Sequence, residues 1–358
     1  MSIPGARINR KLVIFESDDW GAERIPNKEI REKLIDNGLI DSKNKFNLID
    51  TLESSDDFVS LFDLLSKYRD CHGKTPIITT NFLTANPDFE QIKRNNFEEY
   101  AYESFLKTYE RRDGNNKIFK FIQEGKENGF IKPQFHGREH IHVNQWMRRL
   151  KINDSVSRKS FDYRVFCLDD KGGGHRDNLM AAFDYQLDTE VEQINDIFKS
   201  GYEQFEDVFG FKSVSMIAPC YVWGSNIEEI SQNLGVKYIQ GIFNQYIPTF
   251  GDQKYRLKWH FTGDKNKFGQ RYLVRNAFLE VFENDQIDHV DECLKRIEIA
   301  FRWGKPAIIG THRINFVGGL DEKNRTNFHK KLEELIKKML QKWPDLEFIS
   351  TDQLENYL

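Results

Sequence analysis

Cysteine is too scarce and too scattered in this chain to build a site. Cys71, Cys167, Cys220 and Cys293 form no CxxC pair, which excludes a thiolate zinc site and a disulfide scaffold. Long apolar runs are lacking as well: no stretch of about 18 apolar residues occurs, and Met1-Ser2-Ile3-Pro4-Gly5-Ala6-Arg7 carries no apolar segment of signal-peptide length. The sequence therefore reads as a cytoplasmic protein with no membrane span. Nor does one sign of charge dominate. Fifty-two Lys and Arg stand against 56 Asp and Glu, a formal net charge of −4, so no global field favours nucleic acid or an anionic membrane. The run Gly172-Gly173-Gly174 lacks the lysine and the serine or threonine of a phosphate loop and follows no clear strand, so it reads as a flexible surface loop.

What the chain does have is core-forming material: 358 residues, 39% hydrophobic and 13% aromatic, enough for one large barrel or two modest domains. Apolar, β-rich runs recur at 11–16, 76–83, 131–136, 213–218, 236–242, 271–278, 306–311 and 346–350. Helical segments are expected between them, at 27–37, 55–69, 99–108, 115–128, 188–209, 225–234, 286–303 and 322–342. In the last of these Phe328, Leu332, Leu335, Ile336 and Leu340 share one helical face. This alternation predicts an α/β fold, a distorted (β/α)7-8 TIM-like barrel formed by 1–358 as one domain. Residues 143–187 and 244–270 interrupt the alternation. They are expected to be insertions of the kind that shapes substrate pockets, the second being a further excursion or a small hairpin.

Three polar clusters follow predicted strands, at the end of the sheet where such folds place chemistry. The first is Asp18-Asp19 after Leu12-Val13-Ile14-Phe15. Adjacent carboxylates on a strand point to opposite sides, but in a loop just past it both can face one pocket, one binding metal while the other takes a proton. The bland alternative is that they cap the helix that Asn27 begins. The second cluster is His136 and His140, whose spacing brings both rings to one side if the chain turns helically after the strand. His142, two residues on, should point away. The third is His312, which ends the strand Ile308-Ile309-Gly310-Thr311 and has an ordinary pKa near ~6.5, suited to general acid catalysis.

In this order, Ser17-Asp18-Asp19-Trp20-Gly21, HxxxH, Ala218-Pro219-Cys220-Tyr221 and a late strand ending in His312 resemble the motifs of the polysaccharide deacetylase family, the nodulation-type carbohydrate esterases of the glycoside hydrolase/deacetylase superfamily. The resemblance implies Asp18 as general base, Asp19, His136 and His140 as ligands of one divalent metal, and His312 as general acid. It implies zinc as first choice of metal, with nickel, cobalt or iron accepting the same ligands. Glu280 is the candidate carboxylate for holding the tautomer of His312. The family's first motif has no tryptophan before its glycine, whereas Trp20 intervenes here. Its third motif has an arginine two residues before the proline, where this chain has Ile217. Arg275 and Arg138 are the candidates to replace it.

The expected reaction is metal-assisted removal of an acetyl group from an N-acetylated or O-acetylated sugar or glycan, by cleavage of a non-peptide C–N bond or an ester. The Tyr221 backbone amide is expected to help stabilise the oxyanion, and Trp20, Tyr221 and Arg275 to contact substrate. A cytoplasmic enzyme of this kind would meet nucleotide sugars, lipid-linked intermediates or small acylated sugars. Two other readings stand beside it: a metal-dependent glycoside hydrolase, for which no second carboxylate is evident, and a catalytically impaired barrel that binds a glycan.

Overall fold

The computed structural model describes residues 4–41, 44–168, 174–251, 254–282 and 286–358. Asp169 to Gly173, most of the glycine-rich stretch, lies outside them. Thirteen strands occur among the described residues: β1 (Leu12–Trp20), β2 (Ile78–Leu83), β3 (Ala85–Pro87), β4 (Tyr102–Ser104), β5 (Ile131–Gly137), β6 (Ser215–Ile217), β7 (Tyr238–Gly241), β8 (Asn244–Ile247), β9 (Arg256–Trp259), β10 (Arg271–Val274), β11 (Ala277–Phe278), β12 (Ala307–His312) and β13 (Glu347–Phe348). Nine form one sheet in the order β10-β7-β6-β5-β2-β1-β12-β11, with β13 beside the start of β1. Every pairing in it is parallel.

The two ends of that order are consecutive stretches of one segment. Arg275 N–H donates to the Gly241 carbonyl at the end of β7 (2.9 Å), and Asn276 N–H donates to Ile308 of β12 (3.0 Å). The run at 271–278, expected as one strand, therefore changes neighbours at its midpoint, and this closes an α/β barrel of the predicted class. All eight predicted strands are present.

Alternation along β1 divides the core in two. Val13 and Phe15 face the surrounding helices and join the main apolar cluster. Leu12 and Ile14 face inward, where they seal the base of the barrel with Ile8, Tyr238, Leu273, Ile308, Ile349 and Leu354. Seven of the eight predicted helices fall where expected. Asn27 caps Lys28–Asp36 by accepting from Ile30 N–H (2.9 Å), and Glu322–Lys342 buries Phe328, Leu332, Leu335, Ile336 and Met339, with Leu340 half-buried.

The region 99–108 is a correction. Tyr102–Ser104 pairs antiparallel with Ala85–Pro87, and the helix begins only at Phe105, capped by Ser104; long-range pairing overrides local helical pattern here. The expected insertion at 143–187 carries two helices, Val143–Lys151 and Ser155–Asp162, which bury Trp146, Leu150 and Phe161 in a separate apolar cluster. The excursion at 244–270 contains the expected hairpin, β8 with β9. Among the described residues no helix is long and apolar enough to cross a membrane.

One glycine on β12 is required by packing. A Cβ on Gly310 would lie 2.7 Å from Arg275 Cδ and 2.9 Å from the Phe278 ring, inside contact distance. Gly310→Ala is expected to displace the Arg275 side chain and to cost about 1–3 kcal/mol, as overpacking does. Urea unfolding measures this, and an unchanged midpoint would mean that the barrel interior has slack the packing does not suggest.

Candidate active site

The two carboxylates share a pocket because β1 is irregular at its end. Ser17 pairs with Thr80 and Trp20 with Phe82, so two residues of β1 stand opposite the single residue Asn81. Asp19 takes a left-handed backbone, φ +73°. Such a bulge re-aims side chains, and aspartate accepts the conformation better than most residues. The pair thus lies within the strand rather than in a loop beyond it, and the bulge replaces the expected loop as the reason both face inward.

The histidines converge on Asp19. Its Oδ1 lies 3.2 Å from His136 Nε2 and 3.4 Å from His140 Nε2, and ligand atoms from all three residues lie within 4.8 Å of one another. His136 is on β5, whereas His140 is reached by a bend that starts at Gly137, φ +134°, and not by the expected helical turn. His142 lies outside the cluster, as a buried cap whose ring nitrogen accepts from Gln145 N–H.

The His136 ring also tests whether the residues suit a cation. Its Nδ1 donates to the Ile217 carbonyl at 2.9 Å, so Nε2 of the neutral ring carries a lone pair facing a carboxylate oxygen. Two acceptors at 3.2 Å repel unless a cation or an extra proton lies between them. A ring oriented through its far nitrogen is also how metal-ligating histidines are held. The donor set of one carboxylate and two imidazoles therefore fits a divalent metal with open positions. Although burial disfavours charge on Asp19, its neighbours His136, His140 and His312 hold its carboxyl well below the usual range.

Asp18 is fixed differently. Arg275 forks onto it, with 2.6 Å from each terminal nitrogen to one of its two oxygens, while Nε donates to Glu16 at 2.9 Å. Burial opposes ionisation, but the guanidinium outweighs it and lowers the Asp18 pKa to about 2. Asn81 donates to Asp18 Oδ1 (2.8 Å) and is itself locked in a reciprocal amide pair with Gln240 (2.8 and 3.1 Å). The network continues through Ser215 to Gln134, so a polar column runs down the barrel from the site to the sealed base. Arg138, the other candidate for this role, bonds Glu139 and Ser200 instead.

His312 lies across from Asp18, with 3.8 Å between Nε2 and Oδ2. Its Nδ1 is 2.6 Å from Glu280, whose second oxygen accepts from Asn315 (2.7 Å). Burial disfavours the charged ring, but Glu280 and the two aspartates prevail and raise its pKa to about 10. Phe46 packs edge-on against the ring at 5.8 Å. The next residue, Arg313, is fully buried on Asp50 and Glu53, and Glu53 accepts from Gly21 N–H (2.9 Å), so the ends of β1 and β12 are tied together.

Three expectations about substrate contact change. Trp20 is 1% exposed, packed among Phe58, Phe82 and Phe316 with its indole donating to Ser17. The bulge that turns both aspartates inward leaves the indole facing the helices. Arg275 has no exposed side-chain surface and is engaged by carboxylates, so it holds Asp18 rather than substrate. The Tyr221 amide already donates to Ala218 (3.0 Å) within the turn Pro219–Tyr221, so it is not free for an oxyanion. The Tyr221 side chain remains beside Arg275, and burial raises its hydroxyl pKa.

No family model and no curated protein sequence matches the chain. Among solved structures it is similar to a 4-alpha-glucanotransferase from Thermococcus litoralis, at 8% identity and TM-score 0.49 over 98% of this chain and 40% of that one. It is also similar to the alpha-amylase AmyC from Thermotoga maritima, at 10% identity and TM-score 0.49 over 99% and 75%. A third is a protein from Mycobacterium smegmatis described as a polysaccharide deacetylase, at 11% identity and TM-score 0.47 over 99% and 94%. The chain spans less than half the length of the glucanotransferase. These overlays are loose, and the functional reading rests on the side chains.

The residues that sequence reasoning missed are Glu16, Asn81, Gln240 and Asn315. Glu16 carried a signal, because it stands two positions before Asp18 and so shares its face of the strand. Glu280 is what keeps His312 protonated, so Glu280→Gln is expected to lower the His312 pKa by about 1–2 units. NMR titration of the imidazole measures it; an unmoved pKa would assign the shift to the aspartates.

Proposed function

We propose that this chain is a metal-dependent hydrolase that removes an acetyl group from an N-acetylated or O-acetylated sugar or glycan. The observation that carries the reading is the placement of Asp18 and His312, 3.8 Å apart, beside the cluster of Asp19, His136 and His140. One group is poised to take a proton and the other to give one. Asp19, His136 and His140 would hold the ion, zinc being the default for this donor set and nickel, cobalt or iron its competitors. A divalent ion there supplies Lewis-acid polarisation of the acyl oxygen and makes a nearby water more acidic.

The remaining steps belong to the chain. Asp18, held ionised and aimed by Arg275 and Asn81, accepts the proton of the attacking water. His312, protonated through Glu280, delivers a proton to the departing sugar nitrogen or oxygen. Acetate and the deacylated sugar leave.

Glycoside hydrolysis finds less support, since it needs a second free carboxylate near Asp18. Glu16 is bound by Arg275 and Thr351, and Glu280 by His312 and Asn315. A catalytically impaired glycan-binding barrel was suggested by the missing motif arginine, and finds less support because Arg275, just past the end of β10, reaches Asp18.

The test is acetate release from a panel of N-acetylated and O-acetylated sugars. Asp18→Asn and His312→Asn should each reduce turnover by about 10²–10⁴-fold, the usual worth of a general base or acid, while leaving metal content intact. Full activity in either variant would remove that residue from the reaction. Absence of acetate release from every substrate by the metal-loaded wild type would count against deacetylation itself.

A further inference from the structure

A cavity of about 720 Å³ opens between the β8–β9 hairpin and the helix Ser225–Leu234, and none of the residues assigned above to the active site lines it. Its walls offer three kinds of contact. Arg256, Lys258 and Lys267 bring exposed cationic groups, and none of the three forms an ion pair among the described residues. The two lysines lie over aromatic rings: Lys258 Nζ lies 5.5 Å from the Tyr272 ring centre and Lys267 Nζ 4.7 Å from that of Phe268.

The second contact is Glu228, which is only 4% exposed. One of its oxygens accepts from the Tyr272 hydroxyl (2.6 Å) and the Trp223 indole (3.2 Å), and the other makes no hydrogen bond among the described residues. An acceptor with spare capacity at a cavity wall can take a donor from whatever enters. The third contact is the packed pair Tyr185 and Phe250, ring centres 5.4 Å apart, with Phe250 51% exposed.

Three cations without an ion pair among the described residues, set against the single carboxylate of Glu228, leave this cavity a positive local field in a chain of net charge −4, and such a field recruits an anion. An acceptor in the wall selects hydroxyl donors, and aromatic faces suit the apolar face of a sugar ring. We propose that this cavity binds an acidic saccharide. Its carboxylate or phosphate meets Arg256 and Lys258, a ring hydroxyl donates to Glu228, and the ring packs on Tyr185 and Phe250. The proposal goes beyond the hydrolase reading and does not depend on the metal.

Isothermal titration of the full chain tests it with four probes: an oligogalacturonate, a hexose 1-phosphate, a neutral oligosaccharide of equal length and a nucleoside monophosphate. At low salt at least one of the two acidic sugars should bind about tenfold or more tightly than the neutral one, the worth of a charge-assisted contact, and should weaken as salt rises. Whichever of them binds identifies the acid group. Arg256→Ala combined with Lys258→Ala should remove that preference. Glu228→Gln should weaken binding of the sugar, and His136→Ala should leave it unchanged. Equal affinity for acidic and neutral sugars, tighter binding of the nucleotide, undiminished binding by the double variant, or loss of binding in His136→Ala would each overturn the proposal. Failure of acetate release would not touch it.

Discussion

Arg275 brings the guanidinium that forks onto Asp18 into a place with no solvent contact, and the rest of the site is arranged around that fact. Buried ion pairs seldom add net stability, because desolvation consumes the Coulombic gain. What this one supplies is position and protonation state. The fork fixes the Asp18 carboxylate in one orientation and keeps it ionised down to about pH 2. Glu16 and Asn81 complete the geometry, and Gly310 leaves the room the guanidinium stem occupies. Removing one partner of such a cluster costs about 3–5 kcal/mol, so the arrangement is tightly constrained once formed.

Two backbone irregularities make it possible. The segment 271–278 leaves β7 and joins β12 at Arg275 and Asn276, which puts the arginine at the seam of the barrel and points it across the axis. The bulge in β1 sets Asp18 toward Arg275 and Asp19 toward the histidines. A regular strand would have turned one of the two aspartates away. The left-handed backbone of Asp19 costs on the order of 1 kcal/mol, a modest strain of the kind that persists where surrounding structure holds it.

The barrel was legible because strands buried on both faces read as continuous apolar runs, and all eight such runs are strands. Short elements were not. The helices Lys45–Ile49 and Phe89–Arg94 have five and six residues, too few for periodicity to register. The strand Tyr102–Ser104 exists only through its distant partner Ala85–Pro87. At the site, His136, His140, Asp19, Asp18 and His312 do come together, and Arg275 was named among the two candidates for an arginine beside Asp18. Its burial, and that of Trp20, depends on the seam and the bulge, which no local pattern announces. Trp20 is next to Asp19 in sequence and on the other face of the sheet in space.

The central claim is that Asp19, His136 and His140 form a metal site, motivated by an imidazole lone pair facing a carboxylate oxygen at 3.2 Å. Elemental analysis of the purified full chain, beside His136→Ala, tests it most directly. The account predicts a divalent metal near one per chain in the wild type and its loss in the variant. No bound metal in the wild type, even after reconstitution with zinc, nickel, cobalt or iron, would contradict it.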